Sequence, residues 1–166
     1  PSIPGLRERW GRSILHCPYC HGWEVAGQRL GVLTTSAASV HQLELVRQWS
    51  DDVTAFTAAI EPLDPALAER LDARGIRVVA DDVRALVDDE GAAFVVETNS
   101  GARYPLDALF VAPTPRLDLA YASGLALALA DAPGEPLAVD ASGATSHPRV
   151  WAAGNAALPA RPKPAT

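Results

Sequence analysis

Two cysteines separated by two residues, Cys17 and Cys20, are the only thiols among the 166 residues. This spacing brings both sulfur atoms within bonding reach, and the thiolate of such a pair is the form that attacks a disulfide. His21 follows directly, and histidine is the side chain that most readily exchanges protons near neutral pH. The three residues predict a redox-active dithiol with a proton carrier beside it.

Other interpretations of the two cysteines remain open. A closed zinc site needs four ligands, and only His41 and His147 lie outside the cluster. The string Cys-Pro-Tyr-Cys-His matches the c-type haem attachment pattern, although the chain has no methionine for an axial ligand. Two buried, unreactive thiols are a further alternative. Cys-Pro-Tyr-Cys is also the glutaredoxin string, but a long helix should then follow it, whereas Gly22 and Gly27 interrupt the sequence before a strand near Leu30.

The segments around the dithiol alternate between strand and helix patterns. The predicted elements are a strand over 13–16, a strand over 30–33, a helix over 40–49, a strand over 53–56, a helix over 66–74 and a strand over 76–79. Hairpin-turn residues separate the next strands, which are predicted over 83–87, 93–98 and 103–104, before a last one over 109–112. The predicted fold class is α/β, with a Rossmann-like central parallel sheet and a small antiparallel meander.

The run Pro113-Thr114-Pro115 predicts a domain boundary, because proline fixes φ and removes an N–H donor. We expect one domain over 1–112 and a second segment over 113–166. Two short strands are predicted in the second segment, over 137–140 and 150–153, and a weakly ordered tail from residue 156.

Charge and composition exclude several classes of function. The net charge is −6, the isoelectric point is near 5.1, and no basic run could follow a nucleic-acid backbone. No apolar stretch reaches the length of a membrane span, and a content of two cysteines is typical of a reducing, cytoplasmic compartment. The absence of methionine and the Pro1-Ser2 start suggest a fragment of a longer protein.

The order of these motifs resembles that of thioredoxin reductase-like pyridine nucleotide-disulfide oxidoreductases. The matching segments are Ile3-Pro4-Gly5, the cysteine pair, the run over 27–32, the strand over 109–112 and Trp151-Ala152-Ala153-Gly154-Asn155. The cysteine string is similar to that of actinobacterial members and of dithiol oxidases from natural-product pathways. The resemblance implies a nicotinamide-domain-like Rossmann unit over 1–112 and a returning segment of an FAD-binding domain over 113–166.

The resemblance also implies roles for single residues. Cys20 would lie against the flavin, Cys17 would exchange with substrate, and His21 stands where the family usually has an acidic proton donor. Gly154 and Asn155 would contact FAD. The N-terminal FAD-binding half is outside this sequence, so the chain alone should bind FAD poorly. The implied assembly is a homodimer, and the implied substrate is a small thiol or disulfide or a thioredoxin-like protein.

The nicotinamide site is the least defined part of the resemblance. Thr34, Thr35 and Ser36 stand where the family has a glycine-rich turn, which makes them candidate contacts for NAD(P)H. Their side chains leave less room for a pyrophosphate, so the turn is equally compatible with a Rossmann connection that only packs a helix on a strand. NADPH, NADH and dioxygen all remain open as the electron partner, and a non-catalytic Rossmann remnant remains an alternative.

Overall fold

The computed structural model describes residues 2–113, 117–132 and 134–157. The chain divides into two compact units, Pro1–Pro113 and Thr114–Thr166. The first contains every helix of the α type and every strand of the described residues. The nicotinamide-like and FAD-like roles given to the two segments stay predictions.

The regular elements of the first unit follow the predicted alternation. The α-helices are α1 (Pro18–His21), α2 (Val40–Val46) and α3 (Pro65–Ala73). The strands are β1 (Ile14–Leu15), β2 (Leu30–Leu33), β3 (Val53–Phe56), β4 (Arg77–Val79), β5 (Val83–Val87), β6 (Phe94–Thr98), β7 (Arg103–Leu106) and β8 (Ala108–Val111). Short 3-10 helices of both units span Arg7–Arg9, Trp23–Val25, Ala37–Ser39, Ala58–Ile60, Ala120–Leu125 and Gly154–Ala156.

Five strands form a parallel sheet in the order β1-β8-β2-β3-β4. The last strand of the unit, β8, therefore lies at the centre of the sheet, between β1 and β2, with Leu30 in register with Ala108. The remaining strands form a separate antiparallel sheet in the order β5-β6-β7. The predicted parallel sheet and meander are both confirmed.

Alternation along the central strands divides the core into two layers. On β2, Leu30 and Val32 belong to the cluster that packs against α2 and α3, whereas Leu33 belongs to the cluster that packs against the antiparallel sheet. Successive side chains of a strand point to opposite faces, which explains why both faces of this sheet are apolar. The helices thus cover one face of the parallel sheet and the meander covers the other.

One glycine allows the close approach of the two sheets. A Cβ atom on Gly31 would overlap the Cδ1 atoms of Leu106 and Leu109. Across the same layer, the rings of Phe56 and Tyr104 meet edge to face with centroids 5.5 Å apart.

Two strands predicted in the second unit are wrong. Residues 137–140 and 150–153 make only isolated bridges, Leu129 with Leu137 and Ala144 with Trp151. The chain turns at Asp140 instead of continuing, because its Oδ1 accepts hydrogen bonds from the N–H groups of Ser142 and Ala144 at 2.8 and 3.0 Å. Of the predicted tail, residues 158–166 lie outside the described part, and the side chain of Ala157 is buried.

Candidate redox site

The dithiol lies on the connection that leaves the edge strand β1. Cys17 caps the start of α1 in an extended conformation, and Pro18 occupies the first helical position, where its missing N–H is not needed. The Cys20 N–H bonds to the Cys17 carbonyl at 3.1 Å, which closes the single turn. The two Sγ atoms consequently lie 2.7 Å apart, with Cys17 half-buried and Cys20 exposed.

The two thiols are not equivalent. The Cys20 S–H donates to the Cys17 sulfur, and this hydrogen bond is the main cause that raises the pKa of Cys20 above its ordinary value. Partial burial and the charge that Cys17 can carry act in the same direction. The raised pKa makes Cys20 a poorer attacking thiolate near neutral pH than an ordinary cysteine.

His21 closes α1 and has a partner that sequence reasoning missed. Its Nδ1 lies 3.2 Å from Oε2 of Glu24, three residues along the chain. Both side chains are exposed to a substantial degree, at 44% and 68%. The spacing of three residues is the one signal in the sequence that could have pointed to this pair.

The dithiol segment is held by α2 and the turn that follows it. The Nε2 group of Gln42, on α2, donates to the carbonyl oxygen of His16 at 2.6 Å. Gly22, at the end of α1, lies so close to Trp49 that a Cβ atom there would overlap the indole ring. Gln42 also was missed from the sequence, since its contact spans 26 residues.

The predicted nucleotide turn lines a cavity of about 410 Å³ at the carboxyl ends of β2 and β3. Thr34 is buried, and its Oγ1 donates to the Phe56 carbonyl oxygen at 2.9 Å. Thr35 donates through Oγ1 to the Ala112 carbonyl oxygen at 2.8 Å, and its N–H bonds to Ser39 Oγ at 3.1 Å. The hydroxyl and N–H donors of both threonines are therefore occupied within the protein.

The charges of this cavity are negative. Asp81 and Asp82 line it, and none of the lining residues in the described part is basic. Ser36 is exposed and precedes the 3-10 helix, where its carbonyl accepts from the Ser39 N–H at 2.9 Å. A nucleotide pyrophosphate binds free backbone N–H groups and positive charge, and the two carboxylates make this lining unfavourable for that group.

The predicted FAD contacts lie in the second unit. Gly154 has a φ of +63° and no atom near the position of a Cβ, so the turn is open and needs glycine. Asn155 follows it with an exposed side chain. An open glycine turn with an exposed amide fits the contacts that the resemblance implies for these two residues toward FAD.

In the described ranges, no group of three or more His, Cys, Asp or Glu side chains could hold a metal ion. In the same residues, no helix has the length and apolar character needed to cross a bilayer.

The fold places the chain in a class. A parallel sheet with helices on one face and a small antiparallel sheet on the other is a Rossmann-like α/β domain. The structure superposes on an oxidoreductase from Agrobacterium tumefaciens with a TM-score of 0.83 and 32% identity, covering 96% of this chain and 53% of that one. It superposes on HlmI with a TM-score of 0.76 and 41% identity, covering 96% and 49%.

The chain belongs to the pyridine nucleotide-disulphide oxidoreductase family, whose model matches residues 24–166. Its sequence is 28% identical to thioredoxin reductase sirT of Leptosphaeria maculans, over 96% of this chain and 52% of that protein. The chain thus spans about half the length of these relatives. The matched range begins after the two cysteines, so the family model does not cover the dithiol.

Proposed function

We propose that the complete protein is a flavin-dependent thiol-disulfide oxidoreductase in which Cys17 and Cys20 cycle between dithiol and disulfide. The observation that carries this proposal is the distance of 2.7 Å between the two sulfur atoms on an accessible turn. Two cysteines with a purely structural role would be buried, and their sulfur atoms would not need to lie within bonding distance of each other. The glutaredoxin alternative is wrong, because α1 has only four residues and the sheet has the Rossmann order.

In the proposed reaction, Cys17 exchanges with the substrate and Cys20 is the sulfur next to the flavin. A substrate thiolate attacks Cys17 of the protein disulfide, which forms a mixed disulfide and releases Cys20 as a thiolate. The second substrate thiol then attacks the mixed disulfide, so that substrate leaves oxidised and the protein pair holds two electrons. The support for this order is that Cys20 is the more exposed residue of the two, which leaves it accessible to an electron acceptor.

His21 is proposed to carry the proton of this exchange. Its bond to Glu24 occupies Nδ1, so Nε2 is the nitrogen that takes the proton from the attacking thiol and returns it to the leaving sulfur. The carboxylate of Glu24 orients the ring and compensates the positive charge that forms on it.

FAD would supply a two-electron acceptor beside Cys20 and would be held in part by Gly154 and Asn155. For the final electron acceptor we propose dioxygen, which would be reduced by two electrons to hydrogen peroxide. The support is the cavity described above, in which Thr34 and Thr35 bond inward and Asp81 and Asp82 would repel a phosphate. The oxidation of one substrate dithiol would then consume one dioxygen molecule.

Reduction by NADPH is the second candidate, and the thioredoxin reductase name of the curated relative favours it. If dioxygen is the electron acceptor, the proposed substrate is a small dithiol. If NADPH is the electron donor, the proposed substrate is a thioredoxin-like protein. A homodimer is proposed on the resemblance alone and can be checked by light scattering.

The deciding experiment uses the purified complete protein under anaerobic conditions. Its flavin absorption is recorded after addition of a small dithiol and, separately, of NADPH. We expect the dithiol to bleach the flavin band and NADPH to leave it unchanged, and admission of air to restore the band with one hydrogen peroxide per dithiol. Rapid bleaching by NADPH would overturn the choice of dioxygen.

Substitution of Cys17 tests whether the cysteine pair carries the electrons to the flavin. Cys17→Ser should abolish bleaching by the dithiol, while photoreduction should still bleach the flavin. Bleaching of Cys17→Ser at the rate of the unsubstituted protein would contradict the redox role of the pair.

A further inference from the structure

Gln42 is a buried polar side chain on α2, next to the dithiol segment. Only 7% of its surface is exposed. Its Nε2 group donates to the His16 carbonyl oxygen at 2.6 Å, and this carbonyl belongs to the peptide that leads into Cys17. The hydrogen bond thus joins α2 directly to the turn that carries the sulfur atoms.

The other end of the same amide has no partner. Gln42 Oε1 is buried and accepts no hydrogen bond from the residues that the structure describes. The reverse orientation of the amide would set this oxygen against the His16 carbonyl, so the donated bond fixes the orientation. A buried unpaired acceptor lowers the stability of the fold.

Packing alone does not account for glutamine at this position. Methionine has nearly the same length and would fill the same space without an unpaired oxygen. A residue that lowers stability and still bonds next to a reactive group is the pattern expected of a functional position.

We propose that Gln42 is a positioning residue, which holds the backbone before Cys17 so that its sulfur stays within bonding distance of Cys20. The single turn of α1 offers little rigidity of its own. Its far end is already fixed by the packing of Gly22 against Trp49. Gln42 fixes the near end, and this inference rests on the proposed function, since it matters only if the pair cycles.

The energetic consequence concerns the disulfide. A protein disulfide is stable against external thiols to the extent that its two sulfurs are held together, which is an effect of proximity. Loss of the Nε2–H bond lets Cys17 move, so the disulfide should form less readily. We expect about a tenfold fall in the equilibrium constant for disulfide formation, equivalent to a reduction potential about 30 mV less negative.

The test compares Gln42→Met with Gln48→Met, the same change at an exposed position beyond the end of α2. Each protein is equilibrated in thiol-disulfide buffers of graded potential, and the free thiols of Cys17 and Cys20 are trapped by alkylation and counted by mass. Thermal unfolding of each oxidised protein is recorded in parallel. Gln42→Met should keep or raise the melting temperature and shift the potential, whereas Gln48→Met should match the unsubstituted protein.

A second variant keeps the proposal testable if Gln42→Met does not fold. Gln42→Glu can donate to the His16 carbonyl only when its carboxyl group is protonated. The reduction potential of Gln42→Glu is compared with that of the unsubstituted protein at each pH. The two potentials should agree near pH 5 and diverge as the pH rises towards 8. A difference that does not change with pH would overturn the hydrogen-bond role.

The outcomes separate the two proposals. If the unsubstituted protein forms no disulfide between Cys17 and Cys20 in any buffer, the proposed function fails. If the disulfide forms but Gln42→Met has the potential of the unsubstituted protein, the inference about Gln42 fails alone.

Discussion

At the residue scale, the sulfur of Cys20 depends on Cys17 for its protonation state. The hydrogen bond that the Cys20 thiol donates to the Cys17 sulfur raises the pKa of Cys20. The Cys20 thiolate therefore forms at a higher pH than the thiolate of an ordinary cysteine. In Cys17→Ala, the main cause of the shift is removed and the pKa of Cys20 should fall back towards the ordinary value. The rate of alkylation of Cys20 as a function of pH should then rise at lower pH than it does in the dithiol protein. An identical profile in both proteins would contradict the hydrogen-bonded geometry.

The proton-carrying role of His21 makes a separate prediction. His21→Gln should slow flavin reduction by a small dithiol about 10²-fold, the usual contribution of a general acid-base group. Added imidazole should restore part of the rate, because the side chain at this position is 44% exposed. Stopped-flow absorption measures the rate, and His41→Gln, on an exposed surface of α2, is the control. Equal rates for both variants would remove His21 from the reaction.

At the scale of elements, the contact between α1 and Trp49 sets how closely the dithiol turn can pack. Gly22 has a helical φ of −60°, so alanine is allowed by the backbone dihedral angles, and its Cβ is opposed by overlap with the Trp49 indole and with the Pro18 carbonyl oxygen. We expect Gly22→Ala to lower the free energy of unfolding by about 1–3 kcal/mol, as overpacked cores do. Denaturant unfolding followed by circular dichroism measures the change.

Gly124→Ala is the matched control, because no atom lies near the position of its Cβ. A Gly22→Ala variant as stable as the unsubstituted protein would show that Trp49 can move away from the dithiol turn.

The elements predicted from sequence are correct where the pattern is local. The residues of strands β2 and β3 are all buried, and both strands were predicted at their observed bounds. The helix predicted over 40–49 ends at Val46, because the N–H groups of Gln48 and Trp49 already bond three residues back. In the second unit, short apolar runs that make only single isolated bridges were mistaken for strands.

The residues of the candidate redox site were likewise predicted only where the pattern is local. The cysteines and His21 could be recognised from residue type and spacing. Gln42 could not, because its role depends on a helix packing against a distant turn. The residues of the predicted nucleotide turn could be named from the sequence, because Thr34 and Thr35 follow a predicted strand. The sequence does not show that their hydroxyl groups donate to carbonyl oxygens of the protein.

At the scale of the first unit as a whole, Asp81 ties the link between β4 and β5 to the turn between β6 and β7. Its carboxylate accepts from the Ser100 N–H at 2.9 Å, and hydrogen bonds from Ser100 and Thr98 lower its pKa to about 2. A carboxyl with a lowered folded-state pKa stabilises the fold above its unfolded value, near 3.8, and loses that contribution as the pH falls towards 2.

Asp81→Asn should therefore lower stability at neutral pH and flatten the loss of stability between about pH 4 and pH 2. Urea unfolding across this pH range measures both effects. Asp72→Asn, on the exposed surface of α3, should leave the acid dependence unchanged. An Asp81→Asn curve parallel to that of the unsubstituted protein would show that the hydrogen bonds to Ser100 do not persist in solution.

The packing of Trp49 against Gly22 has an optical consequence. An indole beside a turn that carries two sulfur atoms is well placed for its fluorescence to be quenched by a disulfide and released by reduction. The difference in emission between the unsubstituted protein and Trp49→Phe would isolate this signal from the three other tryptophans. The emission of Trp49 would then follow the oxidation state of the cysteine pair in real time, with no dye and no flavin.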